Sequence, residues 1–451
     1  MSGNAPAFDA VKYLNDPAWF SSRYGLERMR TLMAKLGNPQ QGLRYVHVAG
    51  TNGKGSTCAY LDAMLRASGY KVGLYTSPYI ETFEERIRVN GENISPEDLH
   101  RQTLKVRDAA EAMVAEALVD GDPQYQEEHP TAFELMTAVA FLHFAECACD
   151  VVVLEVGLGG LLDATNIIEA PEAAVIVRLG LDHTEILGDT VAKVASQKAG
   201  IIKPGSAVVS WPQEDAGAMD VVRNAALACE NEFAVADFGA LEAEPVSWEG
   251  AWPVRPFTYR GVPYRTRLLA AYQPRNAAVA LETVAALRLK GWTIPVAAAQ
   301  AGIEACTWPG RFEVFGTEPL RIVDGGHNPQ GAAALAETLD DVLPNSHPIF
   351  MLGILADKDW PQMLRTLVPY GCAFFCVTPP SPRALEAAKL AEALRELVGE
   401  GVTVQACAGF AEAAEAAKAL AANPPAAAGT PVAIVATGSL YSIASEKVVL
   451  R

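Results

Sequence analysis

The octet Gly50-Thr51-Asn52-Gly53-Lys54-Gly55-Ser56-Thr57 restricts this chain to few folds because of what stands on either side of it. Tyr45 to Ala49 is an apolar run of strand length, and Ser56 to Ser68 has the amphipathic spacing of a helix. A glycine turn between a strand and a helix is a phosphate cradle. Its backbone comes close to the anion, successive N–H groups point at it, and the helix N-terminus adds positive potential. Asn52, Gly53, Lys54, Gly55, Ser56 and Thr57 are therefore the nucleotide-binding candidates. Lys54 has the reach for β- and γ-phosphates, and Ser56 or Thr57 offers a hydroxyl to Mg²⁺. The match to G-x-x-x-x-G-K-[ST] is not strict, since Gly55 separates lysine from hydroxyl and Val48 stands at the first glycine. An ordinary glycine turn would need neither the lysine nor the hydroxyl pair.

Further apolar runs at Val72 to Tyr75, Val151 to Val156 and Ala173 to Val177 alternate with amphipathic stretches such as Ala132 to Ala145. This is the β–α–β rhythm of a doubly wound parallel sheet, so the first domain is expected to be α/β. Leu241 to Arg267, with Trp248, Trp252, Pro253, Pro256 and Pro263, reads as a small antiparallel excursion. Asn276 to Leu289 reads as a helix, and Pro295 to Pro309 as a turn-rich boundary. A second series follows at Arg321 to Val323, Ile349 to Leu352, Phe374 to Val377, Val402 to Gln405 and Val432 to Val435. The Ala- and Glu-rich Phe410 to Ala422 suits a surface helix. The expected division is 1–305 and a smaller α/β domain at 306–451.

A chain of 451 residues exceeds the size at which one core stops growing, in keeping with two domains. With 50% hydrophobic and 20% charged residues it is composed to fold throughout. Its 53 acids against 36 bases give a formal charge of -17, which repels a nucleic-acid backbone. A nucleotide can still bind where local N–H groups and a metal supply positive potential. Met1 to Asp16 lacks an apolar export core, and no run of about 18 apolar residues occurs, so the expectation is a cytoplasmic protein with no membrane span. The eight cysteines, Cys58, Cys147, Cys149, Cys229, Cys306, Cys372, Cys376 and Cys407, show no C-x-x-C spacing and read as reduced packing thiols.

Glu155 lies near the end of the run Val151 to Val156, where a carboxylate is costly unless it is paired or bound to a cation. Open parallel sheets bind ligands beyond their carboxyl edges, so Mg²⁺ ligation competes with a buried salt bridge. His183 follows Asp182 in a loop and reads as ligand or as surface cap. Val191, Val194, Ala195 and Lys198 fall at i, i+3, i+4 and i+7, so this lysine shares an apolar stripe. Burial would lower its pKa and make a neutral amine available to CO₂, giving a carbamate; the alternative is an ammonium snorkelling to solvent.

The loop Gly50 to Thr57 resembles that of folylpolyglutamate synthases and dihydrofolate synthases, within the Mur ligase superfamily. Thr76-Ser77-Pro78, Glu85-Arg86-Ile87, Glu155-Val156-Gly157-Leu158-Gly159-Gly160, Asp163-Ala164-Thr165-Asn166 and Leu181-Asp182-His183-Thr184 occur in the family's order. So do Lys198-Ala199-Gly200-Ile201, Trp308-Pro309-Gly310-Arg311-Phe312-Glu313, Asp324-Gly325-Gly326-His327-Asn328-Pro329 and Asp357-Lys358-Asp359. The likeness runs from Tyr24-Gly25-Leu26-Glu27 to Gly438-Ser439-Leu440-Tyr441. It implies an N-terminal P-loop ATPase-type domain of Mur ligase central type, a C-terminal Rossmann-like ligase domain, and an active site in the cleft between them. Tyr79 and Leu161 stand where many bifunctional members carry histidine and arginine, which tilts the expectation toward a synthase that only elongates folates. Gly326 for alanine and Gln197 for glutamate are minor departures.

The resemblance also implies roles. Ser77 and Glu155 would hold one Mg²⁺ and His183 a second, with carbamylated Lys198 orienting that metal and Lys54, Lys198 and His183 forming the catalytic set. Asn276, Arg311, Asp324 and His327 match ATP contacts; Asp324 suits a ribose hydroxyl and the forked Arg311 a phosphate. Thr131, Phe133, Leu162, Asp163 and Ala164 match a pterin pocket, where Phe133 either stacks on the ring or belongs to helix core, and Ser439 and Tyr441 are placed at glutamate. The implied activity is ATP-dependent addition of L-glutamate to a folate carboxylate through an acyl phosphate, with dihydropteroate as a second acceptor left open and a monomer expected. A peptidoglycan Mur-type amino-acid ligase is the competing enzyme, although the residues before Tyr45 are too few for its UDP-sugar domain. A nucleotide-binding switch is the competing non-enzyme.

Overall fold

The computed structural model describes residues 8–19, 25–119, 125–249, 252–425, 428–429 and 431–451; Tyr24, the first residue of the N-terminal motif, lies outside them. The first sheet has strands β1 (Tyr45–Ala49), β2 (Val72–Tyr75), β3 (Ile87–Val89), β4 (Glu92–Asn93), β5 (Val151–Glu155), β6 (Ala173–Ile176), β7 (Ala207–Ser210) and β8 (Phe233–Val235). Their order is β4-β3-β2-β5-β1-β6-β7-β8. Strands β2, β5, β1, β6, β7 and β8 run parallel, while β3 and β4 add an antiparallel edge. β1, β2, β5, β6 and β7 are buried along their whole length, as their unbroken apolar runs require when helices cover both faces.

Register places the chemistry. Val48 of β1 lies opposite Glu155 of β5, and Ala49 lies opposite Ile176 of β6. The loop after β1 and the carboxylate ending β5 therefore emerge side by side at the carboxyl edge. From β1 the chain next builds β2, on the far side of β5, whereas β6 flanks β1 on its other side. Such a reversal of direction opens a crevice at the strand ends.

A hairpin sheet comprises β9 (Leu241–Ala243), β10 (Arg255–Tyr259) and β11 (Val262–Thr266) in the order β11-β10-β9. The last sheet comprises β12 (Glu313–Thr317), β13 (Leu320–Asp324), β14 (Ile349–Leu352), β15 (Ala373–Cys376), β16 (Thr403–Ala406) and β17 (Ala433–Thr437). Its order is β12-β13-β17-β14-β15-β16, parallel except for β12. Two compact units result: Met1–Leu241 with Arg275–Ala305, and Glu242–Pro274 with Cys306–Arg451.

A single division at 305/306 would give Glu242–Pro274 to the first unit, but its contacts group it with the second. Arg255, 2% exposed, donates from Nε to the Leu269 carbonyl at 2.9 Å and pairs with Asp341, and the Ala271 N–H donates to Thr338 Oγ1 at 3.2 Å. The stretch read as turn-rich contains a helix, Val296–Ala305, which Pro295 heads by accepting from the Ala299 N–H at 3.0 Å. Proline there marks a helix start. A Cβ on Gly302 would lie 2.6 Å from Met64 Cα, so this helix packs directly on the backbone of the helix Lys54–Ala67. Among the described residues no helix is long and apolar enough to cross a membrane.

In the second unit the helix Ile443–Leu450 turns Glu446 fully inward, and among the described residues neither carboxyl oxygen has a hydrogen-bond partner. Burial, reinforced by the Asp324 carboxylate, holds its pKa well above the usual range. A carboxyl raised in this way is protonated when folded. Stability is then lost as pH rises from the unfolded value of about 4.3 toward the folded one. We predict that Glu446→Gln removes this slope. Urea unfolding of the full chain should show the variant gaining on wild type by about 1 kcal/mol or more between pH 5 and pH 8. An equal difference at both pH values would show that Glu446 does not titrate there.

Candidate active site

The phosphate loop is built from backbone that a side chain would obstruct. Gly50 has φ +157° and a Cβ there would lie 2.1 Å from Val177 Cγ2; Gly53 has φ +92° and a Cβ would meet Asn276 Oδ1 at 2.6 Å. The contact at Gly53 brings buried Asn276, from the helix Gln273–Leu289, against the loop. Thr51, to which the sequence reading gives no role, anchors the loop. Its hydroxyl donates to the Gly180 carbonyl at 3.0 Å and accepts from the Gly180 N–H at 3.1 Å. The N–H groups of Thr51 and Asn52 both donate to the Arg178 carbonyl. Gly53 heads the helix Lys54–Ala67, where Ser56 and Thr57 are buried and the Thr57 hydroxyl has no partner among the described residues. An unpartnered buried hydroxyl in the first turn of a helix, behind a glycine loop, fits a phosphate or its metal.

Two ammonium groups converge on this loop. Lys54 Nζ donates to the carbonyls of Gly50 and Thr51 at 3.1 and 3.3 Å, and Lys198 Nζ donates to the Gly50 carbonyl at 3.0 Å. Lys198 is 4% exposed, so its amine turns into the protein rather than snorkelling to solvent. Burial first, and the Lys54 charge second, lower its pKa to about 7 against the opposing pull of Asp182 and Asp163.

Glu155 is 4% exposed at the end of β5 and accepts from the Ser77 N–H at 3.1 Å, so these two are brought together. The turn after Ser77 is held by Glu85, whose carboxylate accepts from the N–H groups of Ile80, Glu81 and Thr82 at 2.9 to 3.0 Å. A carboxylate and a hydroxyl beside a phosphate loop form a hard-oxygen donor set suited to Mg²⁺. His183 is different: it precedes the short helix Thr184–Leu187 with φ +47°, its side chain is 54% exposed, and its Nε2 lies 3.8 Å from Asp182. Among the described residues no three or more of His, Cys, Asp and Glu gather into a metal-holding group.

On the acceptor side, Thr131 caps the helix Ala132–Glu146, its N–H donating to Glu134 Oε2 at 2.7 Å. Half-buried Phe133 closes over Gly157, where a Cβ would lie 2.4 Å from the ring, and neighbours Tyr75 at 6.0 Å between centroids. Leu162 is exposed and Ala164 buried. The buried carboxylate of Asp163 is spent on its own loop, accepting from Leu158 N and Thr165 N at 2.8 and 3.0 Å.

In the second unit, Asp324 at the end of β13 accepts from the N–H groups of Phe312 and Gly326 at 3.0 and 2.8 Å. Burial raises its pKa and Arg311 opposes the rise. His327 donates from Nδ1 to the Gly325 carbonyl at 2.9 Å, which fixes that tautomer. Ser439, fully buried, accepts from the Tyr441 N–H, while Tyr441 is 54% exposed with its hydroxyl 3.3 Å from Arg383.

The class of the protein follows from two matched segments: residues 48–283 fit the Mur ligase middle domain, and residues 310–438 fit the Mur ligase, glutamate ligase domain. The chain is 37% identical over 396 residues to dihydrofolate synthase/folylpolyglutamate synthase of Bacillus subtilis (strain 168), covering 85% of this chain and 88% of that one. It is 35% identical over 392 residues to folylpolyglutamate synthase of Lacticaseibacillus casei, covering 86% and 89%. Mycobacterium tuberculosis folylpolyglutamate synthase complexed with ADP and AMPPCP superposes with a TM-score of 0.83 at 32% identity, covering 98% of both chains. The chain belongs to the folylpolyglutamate synthase/dihydrofolate synthase family and is an ATP-dependent ligase.

Because Gly53 combines a left-handed backbone with a close approach to Asn276, Gly53→Ala is predicted to weaken ATP binding at least tenfold, about 1.4 kcal/mol. Titration calorimetry on the folded variant checks this. Wild-type affinity would show that the loop tolerates a side chain there.

Proposed function

We propose that this chain joins L-glutamate to the carboxylate of folates, with ATP as the driving substrate. One observation carries the reading: the β1–β5 register sets a phosphate loop holding Lys54 and Lys198 beside the buried Glu155 carboxylate. A carboxylate does not react with an amine at neutral pH because oxide would have to leave. A bond therefore forms from the folate carboxylate to the γ-phosphorus while the bond to the β-bridging oxygen breaks and ADP departs. The glutamate amine then attacks the acyl carbon, the tetrahedral intermediate expels inorganic phosphate, and the nitrogen sheds its proton.

The chain's own part is positioning and charge. Loop N–H groups and Lys54 hold the triphosphate. Asn276, Arg311, Asp324 and His327 are assigned to ATP, and Ser439 and Tyr441 to glutamate. Phe133, over Gly157, is assigned to the acceptor's ring, together with Thr131 and Leu162 to Ala164. Mg²⁺, held by Glu155 and Ser77 with a second ion at His183, would supply further neutralisation of the phosphates. Lys198 becomes an anionic carbamate when its amine adds CO₂ and loses a proton, and a pKa near 7 keeps that amine available. The name of the Bacillus subtilis relative supports dihydropteroate as a second acceptor. All eight cysteines are free thiols, which supports a cytoplasmic setting, and the protein is taken to act as a monomer.

Labelled glutamate should be incorporated with ATP and tetrahydrofolate, and not with a UDP-muramyl peptide; the reverse preference overturns the reading. Lys54→Ala and Glu155→Gln should each lower turnover by about 10² or more with the fold intact. Lys198→Ala should be inactive and partly restored by acetate. Full activity without acetate would rule out the carbamate.

A further inference from the structure

His47 lies in β1, fully buried, opposite Leu154 of β5 and Ala174 of β6. Its Nε2 is 2.9 Å from Thr165 Oγ1, and that hydroxyl donates its single proton to Asp163 Oδ1 at 2.5 Å. The hydroxyl can therefore only accept from the ring. His47 is the Nε2–H tautomer, and its Nδ1 lone pair has no partner among the described residues. Burial pushes the imidazole pKa down to about 3, so the ring stays neutral. At the other end, Asp163 also accepts from the Thr165 and Leu158 N–H groups at 3.0 and 2.8 Å. Burial raises the Asp163 pKa, and the bonds from Leu158 and Thr165 oppose that rise. The bonds run in one direction, from His47 N–H through Thr165 O–H to the Asp163 carboxylate.

This relay joins two strands at their functional ends. His47 is three residues before Gly50, where the phosphate loop begins, and Leu158 is three residues after Glu155. The loop between Gly157 and Asn166 is fastened on its other side to the helix that carries Lys198, through Leu161 N–H to the Gln197 carbonyl at 2.7 Å and Asn166 Nδ2 to the Gly200 carbonyl at 3.0 Å. Without the His47 donor, that loop keeps its tie to the lysine helix and, where it begins, the bond from the Val156 N–H to the Val48 carbonyl, but its far end at Thr165 loses the side-chain tie to the strand that feeds the phosphates. In-line transfer depends on the spacing between those two parts.

We propose that His47, acting through Thr165 and Asp163, is a positioning residue that fixes the acceptor-carrying loop relative to the phosphate loop, an inference that rests on the ligase reading above. His47→Phe keeps ring volume and removes the donor; His47→Gln keeps a donor of similar reach. Thr165→Val breaks the relay with no change in β1. Steady-state glutamate ligation is measured against tetrahydrofolate and ATP separately. His47→Phe and Thr165→Val should each lower kcat/KM for the folate roughly 10- to 100-fold with the KM for ATP within about twofold. His47→Gln should restore most of the loss. The double variant should lose little more than either single one, because both break one relay. The proposal is overturned if the singles match wild type, if the ATP and folate constants fall together, if Gln does not restore activity, or if the losses multiply. Absence of ligation by the wild-type chain would instead overturn the ligase reading, and the proposal with it.

Discussion

The parallel register of β1 between β5 and β6 is the constraint on which the first unit depends. It sets Val48 against Glu155 and Ala49 against Ile176, so the phosphate loop, the carboxylate and the segment carrying Arg178 and Gly180 leave the sheet at one level. A slip of one residue would turn Glu155 to the opposite face and break the bonds from Thr51 and Asn52 to Arg178. Unbroken apolar strands resist such a slip less than alternating ones do, because both faces are equally apolar. Register must then be pinned by polar contacts at the strand ends, and Thr51 to Gly180 and His47 to Thr165 are such contacts.

Three buried ionisable groups differ in the partners that oppose what burial does to a charge. Asp163 accepts from the Leu158 N–H and from the N–H and hydroxyl of Thr165, which oppose the rise in pKa that its burial drives. Lys198 has the Gly50 carbonyl and a neighbouring ammonium, and its pKa yields to about 7. Glu446 has no donor among the described residues and is held protonated. The first anchors a loop, the second is left reactive, and the third adds a carboxyl to the second unit at a cost to its stability.

Much of this was legible in the sequence because it is local. Tyr45–Ala49 and Val72–Tyr75 are strands over the residues their apolar runs mark, and the glycine loop sits between strand and helix as its composition requires. The family likeness marks Asn276 as an ATP contact, and nothing in its own surroundings points to its place against Gly53. What spacing hides is long-range. Thr165 lies 118 residues from His47, and only the sheet brings them together. Val296–Ala305 was obscured because prolines at 295 and 309 look like turn signals, while the small residues that let Gly302 touch Met64 carry no amphipathic stripe. The prolines and tryptophans of Leu241 to Arg267 mark an antiparallel excursion, and β10 and β11 pair in that way, but the allegiance of Glu242–Pro274 to the second unit rests on Arg255 and Asp341, a pairing that no local pattern encodes.

An acidic chain that binds a triphosphate poses a question of range. The formal charge of -17 is spread over the surface, and at physiological ionic strength such charges are screened beyond about 8 Å. The phosphate loop acts within hydrogen-bond distance and in a setting of low dielectric, where an N–H or ammonium is worth several times its value in water. Lys54 at the Gly50 carbonyl, with the start of the helix Lys54–Ala67 behind it, concentrates positive potential in a volume that the surface acids reach weakly. Net charge therefore acts at longer range than the loop does. What it binds is governed by the few donors that the β1 register aims at one point.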